Sequence, residues 1–452
     1  MESFVSEFHI GPRRVFIPIS VDVNLLLSTC PPQIRNFTNE KLLIVLSIIS
    51  EVSVYNDEDI LSNGFRSIYS KKLQSGVHDY KEYINYLIAN KIIEVDYQYI
   101  VGEKCRGYKF SERYNTEFEE VALALKPYRR RRHIKNLPLS EIRSLSDHAY
   151  VTKWINDISI DFVGAELYLD KLKSSTSGDL HILKSYNSGK ISISKIQHKE
   201  FYYQIDNTSN RLHTNLTNLG SSLRRYLRYQ GKTLVSHDIR NSQLYFVTVL
   251  LSPTFYQANS KFSIYKLKLK SIKQVEINLI VKDAIIMLES LNNVPTILDI
   301  KLFTELVSTG KLYDYLLDRA NELSIKGLSD RNRVKKAVFL LIFSDDKNWR
   351  SRPGSFKRLF VELFPNVCEL FKIIKKGNHN SLAILLQRIE SYLVIDVICK
   401  EISRINEDIP LFTIHDSIAT TEEFSELVHK IMKEKLTSFV GVSPTLKKEY
   451  WQ

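Results

Sequence analysis

The sequence predicts an α+β protein of two or three domains, and three observations carry that expectation. At 452 residues the chain exceeds what one compact core organises. From Thr38 to about Tyr114 the apolar pattern reads helix, helix, helix, then a two-stranded hairpin. Beyond Phe201 short apolar strands alternate with helices, the pattern of a mixed domain.

The first block has the element order of a winged helix. Lys41 to Ile49 is strongly apolar, Ser75 is placed to cap a helix from about His78 to Asn90, and Ile92–Tyr99 and Gly107–Ser111 alternate around a turn at Gly102. Lys104, Arg106 and Lys109 fall in or beside the wing, where cations meet phosphates without reading bases. The alternative is a small helical interaction module with a solvated basic hairpin. Arg129-Arg130-Arg131-Arg132-His133, beside Pro127, reads as a linker able to lie along phosphates or to act as a targeting signal. Leu137 to Lys173 is helical in pattern, and Ser174-Ser175-Thr176-Ser177-Gly178 is a polar break. The expected division is 1–125, 126–200 and 201–452.

Composition narrows the partners. Lys and Arg number 63 against 51 Asp and Glu, a net charge of +12 with a pI near 9.2, which favours an acidic partner such as nucleic acid. Cys30, Cys105, Cys368 and Cys399 form no CxxC pair, against a zinc ribbon or a disulfide framework. No segment has the layout of a signal peptide, and apolar runs such as Leu42–Ile49 are too short to span a bilayer, so an intracellular, cytoplasmic protein without a membrane partner is expected.

The chemistry concentrates after residue 230. Thr233 to Asp238 is a short strand ending in a carboxylate, followed by Asn241-Ser242 as a cap for an apolar helix from Gln243. Leu411 to Ile414 is a second strand, His415-Asp416 a tight turn, and Ser417-Ile418-Ala419 the return. Thr420 and Glu423 have capping-box spacing for a following helix. Two carboxylates on adjacent strands can hold two Mg2+ ions roughly 3.5–4 Å apart for in-line phosphoryl transfer. Either aspartate alone reads more readily as a turn former or cap.

Ser329 is placed to cap a helix in which Arg331, Lys335, Phe339 and Phe343 recur every fourth residue. Each step turns about 400°, so the stripe drifts only about 40° per step and stays continuous. Two cations followed by two aromatics suit a nucleoside triphosphate, with charge for phosphates and ring faces for base and sugar. The plain alternative is an amphipathic helix with its Phe side chains in the core.

Together these motifs resemble the palm and fingers of family A polymerases, the group of bacterial DNA polymerase I and the single-subunit phage and mitochondrial RNA polymerases. Asp238-Ile239-Arg240-Asn241-Ser242-Gln243 is similar to the first palm motif, Arg331-x3-Lys335-x3-Phe339-x3-Phe343 to the fingers helix, and His415-Asp416-Ser417 to the last palm motif. Thr309-Gly310-Lys311-Leu312-Tyr313 is similar to the family's Gly-Lys-Asp-Ile-His stretch. Arg211-Leu212-His213-Thr214 with Asn218-Leu219 resembles the segment leading into the palm. The resemblance covers about residues 200–450.

It implies a right-hand polymerase of palm, fingers and thumb, preceded by the winged helix. Asp238 and Asp416 would be metal ligands with the Ile239 carbonyl, for two Mg2+ ions that Mn2+ can replace. Arg331 and Lys335 would grip the triphosphate, with Lys335 also protonating departing pyrophosphate. Phe339 and Phe343 would pack on base pair and sugar, His415 would sit beside the primer terminus, and Gln387, Arg211 and His213 would contact nucleic acid.

Gln243 stands at the fifth position after the first aspartate, where the family's DNA polymerases carry Glu and its RNA polymerases Gly, so its bulk favours deoxynucleotides. Phe343 replaces the usual Tyr, and Ser417 follows the RNA-polymerase pattern; Arg240 and Asn241 depart from the DNA-polymerase wording. The implied function is a DNA-directed DNA polymerase of mobile-element or replication type, taking primed template and dNTPs and lacking a proofreading exonuclease. A single-subunit RNA polymerase or primase, and a non-catalytic DNA-binding initiator with a polymerase-like body, stand as alternatives.

Overall fold

The computed structural model describes residues 13–55, 64–98, 105–123, 148–174, 179–291, 298–344 and 356–452. The chain mixes helices with small antiparallel sheets, and the largest sheet organises the second half. Its four strands lie in the order Phe412–Ile414, Ser417–Thr421, Leu234–Ile239, Leu446–Tyr450. Every pairing is antiparallel, with Asp238 opposite both Ser417 and Lys447.

One face of the sheet is covered by helix Glu422–Val440, whose Val428, Ile431, Met432 and Leu436 recur at helical spacing and are buried. Gly441, at φ 90°, ends that helix in a left-handed turn that other residues adopt at a cost. Helix Ser242–Leu250 follows the central strand directly. Gln243 through Leu250 are all buried, as a helix apolar all round must be. It is flanked by helices Ser381–Ser391, Leu298–Ser308 and Glu422–Val440. Thus the strand bearing Asp238 is anchored at its end by the most deeply buried helix of the large core.

Before residue 123 the elements run helix Asn39–Tyr55, strand Arg66–Ser67, helix Ser70–Gly76, helix Tyr80–Ala89, strands Ile93–Asp96 and Gly107–Phe110. The three strands form a sheet with Gly107–Phe110 in the middle. Ser75 does not cap the third helix. It lies in the last turn of the preceding one, its hydroxyl donating to the Lys72 carbonyl (2.9 Å). Strands Arg14–Pro18 and Phe118–Ala122 pair outside this unit.

The region expected to be helical to Lys173 contains strand Ile158–Ile160, paired with Leu227–Tyr229, because Ile-Ser-Ile alternates with period two. Helix Leu180–Gln197 joins two cores. Ile191 is buried among the N-terminal residues, while Ile193 and Ile196 pack in a cluster with Phe412, Ile414 and Trp451. Lys195 adds an ion pair to Glu51 (3.0 Å) and Asn187 accepts from the Phe118 amide (2.9 Å). Gly102, Lys104, the Arg129–His133 run and residues 175–178 lie outside the described residues.

Candidate active site

The sheet brings the two aspartates together. Asp238 is the penultimate residue of its strand and faces Ser417, so Asp416, one residue earlier in the hairpin turn, comes beside it. His415 makes that turn in the left-handed region, φ 54°, leaving only two residues between Ile414 and Ser417. Both carboxyls are half-buried. Burial first, then the charge of Asp416, pushes the Asp238 carboxyl up to about 7; Glu449 adds to the effect while Lys447 and Lys335 oppose it. Burial raises Asp416 as well, against a hydrogen bond from Ser242 and the positive charges of Arg211 and Lys335.

The strand-to-helix junction differs from the expected cap. Asn241 adopts a left-handed conformation (φ 55°) with no side-chain cap bond, and helix Ser242–Leu250 starts at Ser242, whose side chain serves Asp416 instead. The Asn241 Nδ2 is buried without a partner among the described residues. Likewise Thr420 belongs to the strand; helix Glu422–Val440 begins after Thr421, whose hydroxyl meets Glu423 Oε1 at 3.2 Å.

Helix Arg331–Phe343 is capped by Asp330, not Ser329. The Asp330 carboxylate accepts from the Asn332 and Arg333 amides (2.9 and 3.0 Å), and the Ser329 hydroxyl supports that carboxylate (3.0 Å). Val334, Val338, Leu341 and Ile342 fill the core. Arg331 and Lys335 are exposed, and Phe339 and Phe343 are half-buried with ring centroids 5.7 Å apart. The stripe is therefore not the core face of the helix. Arg331 lies over the Tyr313 ring (5.2 Å) and pairs with Asp314 (3.2 Å); Lys335 lies over Phe339 (5.5 Å) and its charge is felt by both aspartates.

Gly310 brings the neighbouring loop close to Arg240. At φ 74° it is in a glycine conformation, and a Cβ there would meet Arg240 Cδ at 2.9 Å. The next turn carries Tyr313, buried, with its hydroxyl's acidity suppressed by burial and by Asp416, and relieved by Arg331. Tyr313 thus touches the cationic stripe and lies within the field of Asp416.

His415 is half-buried beside His213, rings edge to face at 5.9 Å. Burial, Arg211 and His213 pull its imidazole down to about 4, so it is neutral at pH 7, and its Nδ1 finds no partner among the described residues. His213 approaches Asp206 at 3.5 Å. Arg211 turns to Glu390, its Nε and Nη2 donating to one carboxylate oxygen at 2.8 and 2.6 Å. The other oxygen of Glu390 accepts from Gln243 Nε2. Gln387 is half-buried on the same helix, Ser381–Ser391. Arg106 lies far along the chain in the N-terminal unit, exposed and 5.8 Å over the Tyr97 ring.

Three residues escaped sequence reasoning. Glu390 sits within an apolar helix and has no motif around it. Arg224 lies in the turn Ser221–Tyr226, over the Trp451 ring (5.9 Å); burial lowers its pKa, and Glu449, Asp238 and Asp416 hold it up. Lys447 faces Asp238 from a strand too polar to announce itself. Of the three, only Arg224 has a local signal, the doublet Arg224-Arg225.

The donor set fits a hard divalent cation. No group of three or more His, Cys, Asp or Glu suited to a metal occurs among the described residues, so Asp238 and Asp416 would be completed by main-chain oxygen, solvent and substrate phosphate, the coordination that Mg2+ accepts. Oxygen-only donors and a mutual repulsion that a cation relieves both favour such an ion over zinc.

Among the described residues no helix is long and apolar enough to cross a membrane. No family model matches the chain, and no curated protein matches it. Among solved structures the chain is similar to the POL domain of Pol1 from M. smegmatis, in complex with DNA primer-template and dNTP, at 11% identity and a TM-score of 0.37. The likeness covers 63% of this chain, which spans 56% of that one.

Proposed function

We propose that the chain is a template-directed nucleotidyltransferase, a DNA-directed DNA polymerase working with two divalent cations held by Asp238 and Asp416. The observation that carries this reading is the pairing of the two aspartates across adjacent strands, inside the field of Lys335. Mg2+, when bound, supplies the Lewis acidity that activates a primer hydroxyl and steadies the leaving oxygens. Asp238, Asp416 and the Ile239 carbonyl are assigned to hold it. Arg331 grips the triphosphate, Lys335 balances its charge and protonates the leaving pyrophosphate, and Phe339 and Phe343 offer ring faces to base and sugar. His415, neutral at pH 7, orients the primer end as a hydrogen-bonding group and carries no charge. Arg211, His213 and Gln387 line the approach of nucleic acid.

In this reading the four-stranded sheet is the palm, helix Arg331–Phe343 belongs to the fingers, and helices Phe162–Ser174 and Leu180–Gln197 form a thumb-like element. The N-terminal unit is a winged helix that delivers the enzyme to duplex DNA, with Arg106 toward the phosphates. Gln243 selects the deoxyribose by bulk. Ser417, opposite Asp238, supports RNA synthesis as the second reading. Primer extension with Mg2+ and either dNTPs or rNTPs separates the two. Gln243→Gly should relax any preference for dNTPs, and Asp238→Ala or Asp416→Ala should abolish extension. Extension that survives loss of both aspartates overturns the assignment.

A further inference from the structure

Glu390 is a buried residue to which the proposed chemistry gives no role. It is a carboxylate with 1% of its side chain exposed, deep in an apolar helix, where an isolated charge is costly. Both of its oxygens are engaged, each toward a different residue already placed at the site. One receives the Arg211 guanidinium through Nε and Nη2, and the other receives Gln243 Nε2. Burial pushes this carboxyl up to about 7, with the charge of Asp416 adding to the rise and Arg211 and Gln243 opposing it.

Resting on the polymerase reading, we propose that Glu390 is the positioning residue for sugar discrimination, fixing Gln243 in one rotamer and one amide orientation. A glutamine side chain has three rotatable bonds, and its amide can turn over. In its ionised form, which the Arg211 guanidinium favours, the carboxylate accepts only and fixes the amide with Nε2 toward Glu390 and Oε1 away. That Oε1 is itself buried and has no partner among the described residues. Gln243 thereby presents a fixed obstacle whose unpartnered atom is a hydrogen-bond acceptor. Its position is set, because helix Ser242–Leu250, which carries it, is buried and begins within four residues of Asp238.

Arg211 completes the arrangement. By binding the other oxygen of Glu390 it opposes the upward pull of burial, favours the ionised form and fixes the orientation of the group, and its charge also acts on Asp416. Selection of the sugar and placement of the second aspartate therefore share one buried ion pair. Loss of Glu390 frees the Gln243 amide to rotate while leaving its bulk in place, so discrimination should weaken through orientation rather than through size.

Single-nucleotide incorporation on a primed template tests this, comparing dNTP and rNTP with the full-length protein and its Glu390→Gln, Gln243→Ala and doubly substituted forms. Glu390→Gln preserves shape, and thermal melting verifies that each variant is folded. The expected result is that Glu390→Gln lowers the dNTP-to-rNTP ratio of kcat/KM by about tenfold, mostly through KM, and that the double variant is no worse than Gln243→Ala. Equilibrium binding of non-hydrolysable dNTP and rNTP analogues should show the same loss of contrast without turnover. An unchanged ratio in Glu390→Gln, or effects of the two substitutions that simply add, overturns the inference while leaving the polymerase reading intact. A wild-type protein that incorporates neither nucleotide defeats the reading first and the inference with it.

Discussion

Replacing Asp238 by Asn should stabilise the metal-free protein at pH 8, an unusual outcome for removal of a carboxylate. In the folded chain that group titrates near 7, raised from an ordinary 3.8 by burial and by Asp416. The unfolded chain releases this proton near 3.8, so between the two values the folded state binds more protons and stability falls as pH rises. The loss is absent below 3.8 and complete above 7. Roughly three pH units, at about 1.4 kcal/mol each, set an upper bound of about 4 kcal/mol. Solvent screening of a half-buried group reduces this to about 2 kcal/mol. Asn keeps the shape and removes the charge. Thermal melts in EDTA should therefore give the variant a Tm a few degrees higher than wild type at pH 8, the gap closing as pH approaches 4. Millimolar Mg2+ should reverse the order, since binding to the folded wild type adds stability that the variant lacks. A variant that melts below wild type at pH 8 in EDTA refutes the picture of two crowded, uncompensated acids.

Other outcomes follow from the same geometry. Arg331→Ala should raise KM for the triphosphate about tenfold with a smaller change in kcat, whereas Lys335→Ala, which removes a cation felt by both aspartates, should lower kcat itself about a hundredfold; steady-state kinetics separate the two. Phe360→Ala opens a cavity beside Phe356 and Phe364 and should cost about 3–5 kcal/mol in chemical denaturation. Duplex binding by the N-terminal unit should weaken steeply with salt. Arg106→Ala should reduce the log–log slope by about one, and Lys109→Ala by less, because Lys109 is already paired with Glu94 at 3.0 Å.

The sequence exposed those parts of the site whose chemistry is local. Asp238 ends an apolar strand and precedes an apolar helix, and His415-Asp416 is a two-residue turn between alternating strands, so both are visible within a dozen residues. The four-residue stripe of the Arg331–Phe343 helix is visible for the same reason. Hidden were the groups placed by tertiary structure. Glu390 interrupts an apolar helix, where it reads as an exposed charge until Arg211, 179 residues earlier, is known to meet it. Strand Leu446–Tyr450 is Leu-Lys-Lys-Glu-Tyr, and its polarity disguises a partner of the central strand. Caps misled by one residue at Ser329 and Thr420, since neighbouring Asp330 and Thr421 compete for the same backbone position.

The strand order bears on how the molecule comes into being. Leu234–Ile239, at the centre of the sheet, has no neighbour from its own vicinity; one flank waits for Ser417–Thr421 and the other for Leu446–Tyr450. The indole of Trp451 reaches back across 215 residues to the Ser236 hydroxyl. During synthesis the first aspartate therefore spends a long interval beside an unpaired edge, and such distant closures are slow to form. A nascent chain that has not yet extended past residue 402 would expose a sticky ribbon there until Ser417–Thr421 and Leu446–Tyr450 arrive.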